Sequence, residues 1–407
     1  MKLKSTLLCS AIAGILCSQT VLAAPSQDEM WQMMLDMKKQ NAALLAEVQK
    51  LKGQQAETNE KLEVTATAIE ETGNRVNKTV DWFERTTIGG YGEIHYNNLH
   101  DSDGNDFEEI DIHRIILEVS HRFTDDIRFF TEIEFEHAVI GDAKGGEVVV
   151  EQAYLDFDLN DNHTARVGAF LIPVGILNET HEPPTFYGVE RNIVESEILP
   201  TTWTEGGAGL IGQLGGGFSY GAYVHSGLEV GADQEIRNGR EKVADAEARD
   251  WAFTGRLKYT GISGLELAAT LQYQEDISQD NTAGLENSEA LLFAAHAIYT
   301  TGPLTVKALY ASWEIDNETF EAANTDHQYG WYVEPSWKLF PKWGIFARYS
   351  DLARAENAVL RDLQQIDVGF NYYPHENVVF KGDYQVQQAE DGQSEQDGFN
   401  LGIGYQF

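Results

Sequence analysis

The sequence predicts an all-β transmembrane barrel of about sixteen antiparallel strands, preceded by an N-terminal α-helical coiled-coil segment. From residue 86 onward, apolar and polar residues alternate. Leu267 and Leu271 alternate with Thr270 and Gln272, for example, which is typical of strands with one apolar face. The connections between these strands alternate between short and long. Short turns at one rim and long loops at the other are typical of bacterial outer-membrane barrels.

The first residues are typical of a secretory signal peptide. Lys2 and Lys4 precede an apolar run from Leu7 to Leu16, and small residues follow up to Ala23. The apolar run is too short for a spanning helix, which needs roughly 20 apolar residues. We therefore expect residues 1–23 to be removed on export. Both cysteines of the chain lie in this segment, so the exported chain would have neither disulfides nor thiolate chemistry.

Residues 24–85 are predicted to form a periplasmic coiled coil. Between residues 30 and 83, apolar residues recur at the a and d positions of a seven-residue repeat, which Asn41 and Gln55 interrupt. A single amphipathic helix is the alternative, because two glycines within the repeat each weaken a helix by about 1 kcal/mol. The sequence leaves both interpretations open.

The predicted barrel occupies residues 86–407. A strand edge cannot be left open in lipid, so we expect the last strand, which ends on Phe407, to pair with the first. The alternating C-terminal residues and the final phenylalanine also resemble the signal that the outer-membrane assembly machinery of Gram-negative bacteria reads. A soluble β-sandwich is disfavoured by the strand count, the alternating connection lengths and the aromatic residues near strand ends.

Three stretches resemble the phosphate-selective porin O and P family. They are GGYGEIHYNN (89–98), FLIPVGILNETHEPPTFYGVERN (170–192) and LPTTWTEGGAGL (199–210). The resemblance implies a trimeric, sixteen-stranded channel whose long third loop, residues 173–205 here, folds inward and narrows the pore. It implies passive diffusion of small hydrophilic solutes or ions, including phosphate or other anions. We expect no enzymatic activity, since no G-x-S-x-G or H-E-x-x-H motif occurs, and no cofactor.

Charged residues in the predicted loop and on the predicted lumen faces are the candidate pore residues. They are Glu179, Glu182, Glu190, Arg191, Glu195 and Glu197 in the loop, and Arg114, Arg122, Arg128, Arg166, Glu132 and Glu134 on strands. Opposed rows of charge in a water-filled pore sort solutes by their charge. With Glu205 at its end, the loop carries six glutamates and one arginine. The sequence therefore predicts weak cation preference at low salt, although the lumen arginines favour anions.

The remaining expectations concern binding partners. Asp101, Asp103 and Asn105 form a weak candidate for a divalent-cation site that bridges to lipopolysaccharide, although their spacing does not match an EF-hand. The net charge of −36 argues against a nucleic-acid partner. We expect contact with outer-membrane lipid and assembly into a homotrimer. The alternative function is a structural tether, in which the coiled coil contacts the cell wall and the barrel is only an anchor.

Overall fold

The computed structural model describes residues 26–137, 140–141, 144–390 and 394–407, so the expected signal peptide at 1–23 lies outside the described residues. The chain divides into two compact units, Met1–Val80 and Asp81–Phe407. No helix among the described residues combines the length and the apolarity of a membrane span.

One long helix, Gln27–Arg85 (α1, 59 residues), occupies the N-terminal region. It begins with a capping box. The Ser26 backbone N–H donates to the Glu29 carboxylate (2.8 Å), and the Glu29 backbone N–H donates to the Ser26 hydroxyl (3.3 Å). The apolar side chains of the seven-residue repeat, such as Met34 and Ile69, are exposed in the single chain. The predicted N-terminal helix is therefore confirmed, whereas its pairing into a coiled coil stays a prediction.

Sixteen antiparallel strands form the predicted closed barrel. They are Thr86–Asp101 (β1), Phe107–Arg122 (β2), Ile127–Glu136 (β3), Val148–Asn160 (β4), His163–Leu171 (β5), Thr204–Gly215 (β6), Phe218–His225 (β7), Ala252–Ile262 (β8), Leu265–Gln274 (β9), Glu289–Thr301 (β10), Leu304–Asp316 (β11), His327–Phe340 (β12), Trp343–Glu356 (β13), Val359–His375 (β14), Val378–Ala389 (β15) and Gln396–Gln406 (β16).

The barrel closes between its first and last strands, as expected. Ile94 lies opposite Ile403 in the register of β1 and β16. Beyond β16, the Phe407 backbone N–H donates to the Gly90 carbonyl (2.9 Å), and the Gly90 N–H donates back to the Phe407 carbonyl (3.1 Å). The backbone groups of the final residue are thus used in the ladder, which leaves no open edge at this seam.

The outer surface of the barrel is apolar and the interior is polar. On β9, Leu267 and Leu271 are 41% and 53% exposed, whereas Thr270 and Gln272 are buried. Because side chains on a strand alternate between faces, the exposed leucines lie on the outside and the polar residues point inward. This arrangement suits a barrel surrounded by lipid and filled with water.

The connection between β5 and β6, residues 172–203, is here called the inner loop. It contains the 3₁₀ turn Pro183–Thr185 and the short helix Ile193–Glu197 (α2). Its apolar side chains pack against inward-facing residues of β10, β11 and β12, and the Trp313 indole N–H donates to the Ile198 carbonyl (2.9 Å). The other short elements are the 3₁₀ turn Ile236–Gly239, the helix Glu318–Ala323 (α3), and the paired two-residue strands Ile140–Gly141 and Lys144–Gly145.

Candidate functional site

The inner loop is organised around a buried carboxylate. Glu195 is fully buried, and its Oε2 accepts the backbone N–H groups of Ile176 (2.8 Å) and Leu177 (2.6 Å). Its Oε1 accepts the Tyr332 hydroxyl of β12 (2.7 Å). Gly175 has a φ of +66°, and a Cβ atom there would lie 2.6 Å from the Glu195 Oε2. The turn therefore requires glycine, and Glu195 stabilises the loop.

Charged side chains of the barrel wall fix the middle of the inner loop. Arg348 on β13 is buried between Glu334 (3.1 Å) and Asp367 (3.0 Å) and also donates to the Tyr187 carbonyl (3.4 Å). The Lys381 Nζ donates to the Gly188 carbonyl (2.9 Å). A cation held by two carboxylates and by loop carbonyls costs several kcal/mol to disrupt. The loop is thus bound on several sides of the lumen.

Most of the predicted loop glutamates have partners. Glu179 pairs with Arg256, and Glu197 lies 3.4 Å from Arg354. Glu190 Oε1 accepts hydrogen bonds from the His95 ring (2.9 Å) and the Asn97 amide (3.0 Å). Glu205, also counted in the loop from the sequence, lies on β6 and accepts the Trp203 indole N–H (2.7 Å). Glu179, Glu190 and Glu197 thus lie beside basic side chains, which offset part of the negative charge on which the cation prediction rests.

The predicted strand arginines fall into three environments. Arg114 is buried and pairs with Glu93 (2.6 Å). Arg128 forms a bidentate ion pair with Asp158, and Arg166 forms a bidentate ion pair with Asp156 (2.8 and 3.0 Å). Arg122 is exposed at the end of β2, and the predicted Glu132 and Glu134 are buried inside the barrel. Among the strand arginines, Arg114 alone lines the basic cavity described next.

A cavity of about 280 Å³ lies where the inner loop meets the loop after β7. It is lined by five basic side chains and three carboxylates, namely Arg114, Arg191, Arg237, Arg240, Lys242, Glu134, Glu136 and Glu151. Arg237 donates to the carbonyls of Ser196 and Thr201 (the latter 3.1 Å), and Arg240 donates to those of Pro200 (3.0 Å) and Thr202 (2.9 Å). We call this region the basic cavity.

Three guanidinium groups of the basic cavity have no described carboxylate within ion-pair distance, although Glu134, Glu136 and Glu151 line the same cavity. Within the described part of the chain, Arg191, Arg237 and Arg240 form no ion pair, whereas Lys242 pairs with Glu147. Burial, followed by the positive charges of Arg237 and Arg191, lowers the pKa of Arg240 to about 9. Arg240 therefore keeps its charge at neutral pH, and the cavity concentrates positive charge.

A second cavity, of about 330 Å³, has the opposite character. Its lining includes Glu118, Glu132, Glu179, Glu182 and His181. Here the predicted Glu182 is half-buried and Glu132 is buried. The lumen thus presents a basic region and an acidic region, and the inner loop contributes residues to both.

The structure gives the candidate cation site at Asp101 a local role. The Asp101 carboxylate accepts the Asp103 backbone N–H (2.7 Å) and the Ser394 hydroxyl (2.6 Å). These bonds connect the loop after β1 to the loop before β16. The proposal that Asp101, Asp103 and Asn105 bind a divalent cation stays a prediction.

Sequence reasoning missed the basic residues after β7. Arg237, Arg240 and Lys242 lie in a long external loop with no periodic pattern, which gave no reason to place them beside Arg191. The available signal was local composition, because these three cations stand within six residues of a chain in which acidic residues outnumber basic ones 65 to 29.

Comparison with known proteins places this barrel among the porins. A curated relative, an uncharacterized protein of Aquifex aeolicus (strain VF5), is 37% identical over 235 residues, which is 56% of this chain and 50% of that protein; the match thus spans half of the relative's length.

Two solved structures share the fold. The anion-selective porin from Comamonas acidovorans has a TM-score of 0.57 at 13% identity over 79% of this chain and 99% of that chain. The trimer form of in-vitro folded OmpT from Vibrio cholerae has a TM-score of 0.51 at 12% identity over 79% of this chain and 100% of that chain. The family model of the phosphate-selective porin O and P matches residues 88–407, and the chain belongs to that family.

Proposed function

We propose that this protein is a passive outer-membrane channel through which small hydrophilic anions diffuse, with inorganic phosphate as the first solute to examine. The observation that carries the proposal is the basic cavity, where Arg191, Arg237 and Arg240 have no carboxylate partner among the described residues. Positive charge at a narrow, water-filled passage raises the local concentration of anions.

The position of these guanidiniums supports a role in permeation. Arg237 and Arg240 donate to backbone carbonyls near the end of the inner loop, between residues 196 and 202, so their side chains are held in place without an ion pair to a described carboxylate. A fixed charge of this kind acts on a passing solute without first having to reorganise. Membership of a family described as phosphate-selective also supports the permeation of anions.

The family and the fold indicate a channel rather than an enzyme, and they support an outer-membrane location. We further propose that the barrel assembles as a homotrimer, as the trimer form of OmpT does, and that α1 lies in the periplasm after removal of residues 1–23. Lipid, lipopolysaccharide and the assembly machinery that reads Phe407 are the expected partners. Nothing in the barrel or the comparisons supports the alternative of a cell-wall tether.

The test is the zero-current potential of the purified full-length protein in a planar bilayer between unequal potassium chloride solutions. We expect the sign that corresponds to chloride passing ahead of potassium. The double variant Arg237→Gln and Arg240→Gln is expected to reduce or reverse this preference. Arg249→Gln is the matched control, because Arg249 lies in the same loop but is 52% exposed and pairs with Glu247 (3.1 Å). Potassium ahead of chloride in the unmodified protein would refute the proposal.

A further inference from the structure

We propose that the inner loop is connected to the barrel wall by a divalent transition-metal ion of the zinc type, bound by Glu132, Glu151 and His181. Glu132 lies on β3, Glu151 lies on β4 and His181 lies in the inner loop. One donor atom from each residue lies within 4.8 Å of the other two. All three side chains are at least 95% buried, so the three ligands lie together in the interior of the barrel and not on its surface.

The Glu151 carboxylate is the first observation that points to a bound cation. Neither of its oxygens accepts a hydrogen bond from any described residue, although the side chain is only 4% exposed. A buried carboxylate without a partner costs several kcal/mol of stability, so such groups are normally paired or coordinate a metal. The His181 Nε2 lies 3.4 Å from Oε1, which is within ion-pair range but beyond the length of a charge-assisted hydrogen bond.

The orientation of His181 is the second observation. Its Nδ1 lies 3.2 Å from the Asn178 carbonyl, which can only accept, so Nδ1 carries a hydrogen and donates. The Nε2 atom then faces the two carboxylates and the Tyr91 hydroxyl, which lies 2.8 Å away and gives up this contact when a metal ion binds. A ligating histidine commonly donates its other ring N–H to a backbone carbonyl in this way, which fixes the ring for metal binding.

The distances between the donor atoms match those of ligands that share one metal ion. A protonated imidazole bonded to a carboxylate would place nitrogen and oxygen about 2.7–2.9 Å apart. Two ligands on one tetrahedral zinc ion, with bonds of about 2.0–2.1 Å, lie about 3.3 Å apart. The 3.4 Å between the His181 Nε2 and the Glu151 Oε1 matches the second value, and the 4.0 Å to the Glu132 Oε1 needs only a small rotation.

Neighbouring groups orient the third ligand. The Tyr91 hydroxyl donates to the Glu132 Oε1 (2.7 Å), and the Gln152 amide donates to the Glu132 Oε2 (2.6 Å). Hydrogen bonds to a ligating carboxylate are typical of the outer shell of metal sites. The donor set of one imidazole and two carboxylates suits zinc and related first-row ions. Such an ion would connect the inner loop directly to β3 and β4.

The test uses full-length, folded protein in detergent, stripped with a chelator and titrated with zinc ions alone against a zinc-binding dye. We expect one tightly bound zinc ion per chain. Glu151→Gln keeps the shape of the side chain and removes its charge, and it should weaken zinc binding by roughly 10- to 100-fold or more. Because this experiment measures zinc binding, its outcome is independent of whether the channel prefers anions or cations.

A second group of donors provides the matched control. Asp111, His113 and His137 also lie within 4.8 Å of one another near the mouth. His137→Ala should leave zinc binding unchanged. Heat-resistant migration on a gel verifies that each variant is folded. If Glu151→Gln does not fold, X-ray absorption spectroscopy of the zinc-loaded unmodified protein replaces it. One imidazole among the zinc ligands supports the proposal, because the proposed site contains one histidine. Two imidazoles overturn it. The proposal is also overturned if no stoichiometric zinc binds, or if only His137→Ala reduces binding.

Discussion

The alternation of outward and inward side chains on β9 predicts how much a charge at each outward position destabilises the barrel. Leu271 is 53% exposed on the outer face, whereas Leu267 lies opposite the aromatic Tyr259 in the register of β8 and β9. Aromatic residues of this kind mark the membrane interface. Four residues at about 3.3 Å each, on a strand tilted by about 40°, place Leu271 about 10 Å deeper than Leu267. In an apolar band about 25 Å tall, Leu271 then lies near the middle of the bilayer.

We therefore expect Leu271→Arg to destabilise the barrel by about 2–4 kcal/mol and Leu267→Arg by about 0–1 kcal/mol. The larger value corresponds to a roughly 30- to 700-fold change in the folding equilibrium. Ile298→Arg is the control for the opposite face, because Ile298 points into the barrel opposite Glu266, whose carboxylate is 27% exposed and can pair with the new charge. Ile298 also packs against the apolar cluster beside the inner loop, so Ile298→Ala measures that packing loss separately.

The assay is reversible folding into lipid vesicles in a urea gradient, followed by tryptophan fluorescence, with heat-resistant migration on a gel as a second readout. The expected order of stability loss is Leu271→Arg above Leu267→Arg, with Ile298→Arg free of the bilayer penalty. Equal losses for Leu271→Arg and Ile298→Arg, after the loss for Ile298→Ala has been subtracted from the latter, would show that the assignment of outer and inner faces is wrong. Equal losses for the two leucine variants would show that the assigned depths are wrong.

Three further predictions concern the helix, the inner loop and the buried charges. A peptide of residues 27–85 should be helical by circular dichroism and self-associated by sedimentation, because the apolar residues of its repeat are exposed in the single chain. A monomeric, disordered peptide would contradict the coiled coil. Glu195→Gln should cost about 1.5–3 kcal/mol, because a charged acceptor of two backbone N–H groups is lost, and should make single-channel current noisier. Arg348→Met should cost about 3–5 kcal/mol in urea unfolding, since it leaves two buried carboxylates unpaired, whereas Arg354→Met at a partly exposed pair should cost less than about 1 kcal/mol.

The barrel could be predicted because its sequence signals are local. The alternation of Leu267 and Leu271 with Thr270 and Gln272 assigns outer and inner faces residue by residue. The requirement for a closed edge then predicts the pairing of β1 with β16. Neither step needs any knowledge of which distant side chains meet.

The charge distribution in the lumen could not be predicted because it depends on distant contacts. Glu179 meets Arg256, which is 77 residues away, and Arg191 shares a cavity with Arg240 from another loop. A β-bulge between β1 and β2 changes the local register near His95 and leaves Arg114 opposite Glu93. A count of charges within one loop cannot show which of them are neutralised by another element. The count of six glutamates against one arginine therefore does not give the net charge of the lumen.

The negative net charge and the basic cavity act over different distances. The net charge of −36 belongs to the whole chain, which includes α1 and the acidic external loops. In water, exposed charges are screened over about 10 Å at 0.1 M salt, so those far from the passage have little influence on a permeating ion. Arg191, Arg237 and Arg240 line a cavity inside the barrel, where screening is weaker. Under the proposed function, the sign of the charge in this cavity, and not the sign of the whole chain, determines which ions permeate.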